Sequence, residues 1–114
     1  MAMKKNPLKL NKLQLRTLAL AQVIAEDPAL THHDEGSGDV TLLSLPHAHG
    51  DHVHIGAFSV NVRDISGFSN LAVWAVLERK GLARHTTGET VTLTVEGLAY
   101  DTGLGHHFRK PSNH

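Results

Sequence analysis

Apolar and polar positions alternate with two different periods along this chain, and the switches between them outline its elements. From Asn11 to Glu26 the pattern predicts a helix, with Asn11 as cap, Gln14 as its reciprocal partner three residues on, and Asp27-Pro28 as the stop. Leu13, Thr17, Leu20 and Ile24 fall on one face of it and Leu15 and Leu18 on nearly the opposite one. A helix apolar on two sides is either sandwiched inside its own domain or shared with a second subunit, so a homodimer through this helix is one expectation.

Thr31 to Asp39 is polar, carries two glycines and has no periodicity, and it reads as a loop or the tip of a turn. Val40 to Leu45 is a strand-like run ending at Pro46, and a second runs from His52 to about Arg63, where Val60 and Val62 alternate with Asn61 and Arg63. These two runs are expected to pair as a hairpin whose loop carries histidines. After the break at 66–70, Ser69 is the expected cap of a helix from Asn70 to Lys80 with an apolar stripe of Val73, Trp74 and Leu77. Gly81 ends it in the left-handed conformation, and Arg79 and Lys80 face its negative end. A turn from Arg84 to Glu89 leads into a strand, Thr90 to Thr94, with Val91 and Leu93 inward and the threonines outward. Thr94 is also placed to cap a short helix through Tyr100. One domain over 1–114 is expected, with residues 1–10 and 108–114 flexible.

Composition narrows the chemistry. Eleven Lys plus Arg balance eleven Asp plus Glu, so there is no overall basic field of the kind that marks a nucleic-acid binder. The absence of Cys removes disulfides, thiolate metal sites and a cysteine nucleophile. No apolar run is long enough to span a membrane or to form a clean signal-peptide core, which makes a cytoplasmic protein without a membrane partner the expectation. No GxSxG elbow, phosphate loop or dinucleotide fingerprint is present.

Ten histidines in 114 residues are the unusual feature. Pro46-His47-Ala48-His49-Gly50-Asp51-His52-Val53-His54 concentrates four of them with one carboxylate. Residues two apart on an extended strand project to the same side, roughly 6.5 to 7 Å apart, so His47 with His49 and His52 with His54 are each a candidate two-imidazole chelate. Neutral imidazole suits zinc or another divalent transition metal, and Asp51 is a candidate fourth ligand or an acceptor that fixes a tautomer. His32, His33, His106 and His107 are further candidates for the same site. The exposed reading, loop histidines bonded to backbone and water, stands beside the metal one, and a pH switch operating near pH 6.5 is a lesser alternative.

Leu77-Glu78-Arg79-Lys80-Gly81-Leu82-Ala83, a turn, and Val91-Thr92-Leu93-Thr94-Val95-Glu96-Gly97 together resemble the helix-to-wing passage of winged-helix proteins such as the MarR-type regulators. The early Leu13-Gln14-Leu15-Arg16-Thr17-Leu18-Ala19-Leu20 is similar to the first helix of that family. The resemblance implies a recognition helix over Ser69 to Lys80, a wing over Arg84 to Thr90, and DNA contacts from Asn70, Arg79, Lys80 and Arg84. In place of the family's second helix stands the His-rich β-type segment. Separately, His47-Ala48-His49-Gly50-Asp51-His52 resembles the HxHxDH motif of metallo-β-lactamase-type hydrolases. That likeness implies one ion on His47 and His49, a second on Asp51 and His52, and a metal-bound hydroxide as nucleophile.

The expected architecture is therefore α+β and winged-helix-like: an N-terminal helix, a His-bearing hairpin, a second helix and a C-terminal wing-like hairpin. The expected function is a small regulatory or binding module with a His-rich metal site, metal-responsive or protein-interacting. DNA is a candidate partner, and a small metal-dependent hydrolase is the alternative.

Overall fold

In the computed structural model, residues 6–43, 52–55, 58–61, 70–84 and 90–104 are described, those of 52–55 and 58–61 by backbone alone. The elements run α1 (Lys12–Ile24), a 3-10 turn (Pro28–Leu30), β1 (Thr31–His33), β2 (Val40–Leu42), β3 (His52–Ile55), β4 (Phe58–Asn61), α2 (Leu71–Arg79), β5 (Ala83–Arg84), β6 (Val91–Leu93) and α3 (Val95–Ala99). The protein is a small α+β fold, with three helices and an antiparallel four-stranded sheet among the described residues.

Helix α1 starts where the sequence says it should. The Asn11 side chain accepts from the Gln14 amide at 2.8 Å, and the Asn11 amide donates to Gln14 Oε1 at 2.9 Å, a complete capping box. Thr17 through Ala21, Val23 and Ile24 are all buried, so the two apolar sides are covered by the chain's own elements. That coverage favours the sandwiched arrangement and offers nothing in support of a homodimer through α1.

Helix α2 is capped by Asn70, one residue after the expected Ser69: Asn70 Oδ1 accepts from the Ala72 amide at 3.0 Å. Its C-terminus closes with Gly81 at φ 80°, the Gly81 amide donating to Glu78 O at 3.0 Å and the Leu82 amide to Leu77 O at 2.9 Å. This pair of bonds satisfies carbonyls the helix would otherwise leave open, and it requires a residue at ease with positive φ. Leu82 then turns inward, 2% exposed, and delivers the chain into β5.

The four-stranded sheet has the order β1-β2-β6-β5. Val40, Leu42, Ala83, Val91 and Leu93 point from it into one core with Leu18, Leu20, Ile24, Trp74 and Leu77 from the helices. The expected hairpin between Val40–Leu45 and His52–Arg63 does not form: β2 pairs with β1 on one side and β6 on the other, while β3 pairs with β4 in a separate two-stranded sheet. The stretch expected to be a loop or the tip of a turn, Thr31 to Asp39, holds the turn that leads to β2 and, before it, the strand β1, which was not expected. Only Thr31 of β1 is buried, since an edge strand with one face in water has no need of apolar alternation.

Thr94, read from the sequence both as a strand's solvent face and as a cap, is only the latter. It is 3% exposed, its hydroxyl donates to Gly81 O at 2.7 Å, and it accepts from the Gly97 amide at 3.0 Å. One side chain thus caps α3 and joins it to the end of α2.

Candidate functional site

Opposite the core, the sheet presents a row of polar residues at one register. His32 pairs with Thr41, Thr41 with Thr92, and Thr92 with Arg84, so one residue from each of the four strands stands in line across the sheet. The alternation that sends Val40, Leu42, Val91 and Leu93 inward dictates that Thr41 and Thr92 face out. Their hydroxyls meet at 2.9 Å. With Asp34, Ser37 and Asp39 the row lines an open depression of about 250 Å³.

The charged members of this depression are fixed by local geometry. Arg84 Nε lies 3.1 Å from Asp39 Oδ2, and the Asp39 side chain is 10% exposed against 54% for Arg84. The carboxylate is therefore the anchored partner, and the guanidinium reaches past it into solvent. Asp34 closes the β1–β2 turn, its Oδ1 accepting from the Gly36 amide at 2.9 Å and the Ser37 amide at 3.4 Å. Ser37 Oγ in turn accepts from the Asp39 amide at 3.1 Å. The Gly36 amide, followed by the amide and hydroxyl of Ser37 and the nearby His32, holds the Asp34 carboxyl below the usual carboxylate range against a small opposing desolvation.

The residues singled out by sequence are dispersed. His47, His49 and Asp51 lie outside the described residues. His52 and His54 stand at alternate positions of β3, in register with Asn61 and Ser59 of β4. His106 and His107 also lie outside the described residues, and His32 and His33 sit on β1. Among the described residues no group of three or more His, Cys, Asp or Glu is placed to hold a metal.

Of the residues assigned to DNA, three are engaged within the chain. Asn70 caps α2, Lys80 Nζ donates to Leu8 O at 2.9 Å, and Arg84 pairs with Asp39. Arg79 is in the last turn of α2. No helix among the described residues is long and apolar enough to cross a membrane.

A comparison with known protein families, with characterised proteins and with solved structures finds no match to this chain. Both resemblances are corrected accordingly. The passage Leu77–Gly97 does form a helix, two strands and a short helix, but these are generic consequences of a glycine-ended helix entering an antiparallel pair, and they do not identify a winged-helix family. The six-residue HxHxDH likeness has no family match behind it and no further His, Asp or Glu cluster among the described residues to complete a two-metal site.

The sheet-face row escaped sequence reasoning. Its outward threonines were legible as polar positions between apolar ones, but Thr41 and Thr92 are fifty-one residues apart, and their pairing is a property of the sheet alone.

Proposed function

We propose that this protein is a small, non-enzymatic binding module that takes up a divalent transition metal, zinc in the first instance, through the segment His47 to His54. It acts as a metal-responsive regulator or protein-interaction domain. The observation that carries the reading is the placement of His52 and His54 at alternate positions of β3, directly following His47-Ala48-His49-Gly50-Asp51 in the chain. β3 and β4 form a two-stranded sheet that shares no strand with the four-stranded one. Imidazoles at this density are ordinary ligands for zinc, nickel or copper.

DNA remains a partner to be tested. The intramolecular engagement of Asn70 and Lys80 favours a metal or protein ligand over a duplex.

Elemental mass spectrometry of the untagged protein, followed by zinc titration of the metal-free form with a thermal-shift readout, tests the reading. Near-stoichiometric metal, a rise in Tm of several degrees on zinc addition, and loss of both in His47→Ala/His49→Ala with an unchanged metal-free Tm are expected. A metal-free protein whose Tm ignores zinc would overturn it. Fluorescence anisotropy with duplex DNA at about 50 mM salt, with and without zinc, decides whether DNA is the regulated partner.

A further inference from the structure

The depression on the sheet's outer face lies apart from the histidine segment in sequence. One oxygen of each of its carboxylates is engaged: Asp39 Oδ2 by Arg84 Nε, and Asp34 Oδ1 by the Gly36 and Ser37 amides. The Ser37 hydroxyl is also committed, since it accepts from the Asp39 amide and bonds to Asp34. Beside them stand donors. Two threonine hydroxyls in mutual contact carry two protons and use one between them, leaving one to donate outward. Arg84 is held through Nε while more than half of its side chain stays in solvent. His32, exposed on β1, brings a ring N–H one strand away from Thr41.

We infer that this row is a binding site for a small oxyanion, the phosphate or carboxylate group of a small molecule, seated over the Thr41–Thr92 hydroxyl pair between Arg84 and His32. The spacing suits such a ligand. Neighbouring strands lie about 4.8 Å apart, so an anion above the threonine pair has Arg84 one strand away on the β5 side and His32 one strand away on the β1 side. The volume, about 250 Å³, takes a small anionic group. Of the fixed charges in the lining, Asp39 is paired with Arg84 and largely covered, and Asp34 turns one oxygen to the Gly36 and Ser37 amides. Asp39 also orients the guanidinium before any ligand arrives, which reduces the ordering cost of binding. The inference concerns residues other than those of the metal site and stands or falls independently of it.

The test is titration of the full ¹⁵N-labelled chain with sodium phosphate and, separately, sodium acetate, at constant ionic strength set with sodium chloride. Saturable amide shifts confined to β1, β2, β6 and β5 are expected for one of the two anions. A phosphate response assigns a phosphoryl ligand, an acetate response a carboxylate. Thr41→Val/Thr92→Val is expected to weaken the responding anion by about ten-fold or more, as loss of hydrogen bonds to a charged group does, while Thr92→Ser retains it. His32→Gln, which leaves the threonines in place, is expected to weaken it several-fold. If the double variant fails to fold, His32→Gln and Thr92→Ser decide the matter alone. The inference is overturned if neither anion gives saturable shifts in the tens of millimolar, if chloride gives the same shifts, or if Thr41→Val/Thr92→Val or His32→Gln binds as well as the parent chain.

Discussion

A β-carbon placed on Gly97 would overlap the carbonyl oxygen of Leu82 and stand 2.9 Å from its carbonyl carbon. Helix α3 thus lies against the backbone at the point where α2 hands the chain to β5. The same carbonyl accepts from the Thr94 amide at 3.1 Å, and the Thr94 hydroxyl reaches Gly81 O, so two hydrogen bonds from Thr94 close the α2–β5–α3 junction. Replacing Gly97 by Ala must push helix and strand apart, because backbone atoms, unlike a flexible side chain, have nowhere to go. Gly97→Ala is expected to destabilise the protein by about 3 kcal/mol or more, despite alanine's better helix propensity, as measured by urea unfolding. A loss under about 1 kcal/mol would mean that the junction yields.

Thr17 illustrates the opposite case. Its hydroxyl is fully buried on α1 and lacks a hydrogen-bond partner among the described residues. Valine has nearly the same shape without the polar atom, so Thr17→Val is expected to raise stability by about 1 kcal/mol in urea unfolding, the desolvation cost being removed. A destabilised variant would show that the hydroxyl has a partner in solution.

Tyr100 ties the segment before α1 to the end of α3. Its hydroxyl donates to Asn6 Oδ1 at 2.7 Å and accepts from the Leu8 amide at 3.1 Å, while Lys80 holds Leu8 O. Tyr100→Phe is expected to cost about 1–2 kcal/mol and to raise hydrogen exchange at Leu8 and Leu10 ahead of the core strands. Unchanged exchange there would show that Lys80 suffices.

Asp34 predicts an acid-side effect. Its folded carboxyl titrates below the ordinary value of 3.8, chiefly because the Gly36 amide and then Ser37 donate to the charged form. A depressed folded pKa contributes stability that is present above 3.8 and fades as pH falls through the lower folded value. Asp34→Asn keeps a turn-forming side chain but cannot titrate. Melting temperatures of the two proteins are expected to differ by a constant amount at neutral pH and to converge only below about pH 4. The group is exposed and screened, so the effect is small, and an offset that also changes between pH 5 and 7 would implicate another residue.

The sequence by itself determined those parts of the protein whose cause lies within a few residues. The Asn11–Gln14 box, the left-handed Gly81, the Thr94 cap and the inward Val91 and Leu93 are local competitions for hydrogen bonds or burial, decided within one turn of helix or two positions of strand. Of the histidine segment, His52 and His54 fall on the strand β3. What the tertiary structure decided was partnership. Val40–Leu42 carried the same signal whether it paired with the next strand-like run or with β1 and β6, because alternation fixes which face is buried and says nothing about the neighbour. The edge strand β1 was silent for the complementary reason: with three residues and one of them buried, it has too little apolar surface to leave a pattern. The row His32–Thr41–Thr92–Arg84 exists only once four strands are in register, and no local property of any of the four residues announces the other three.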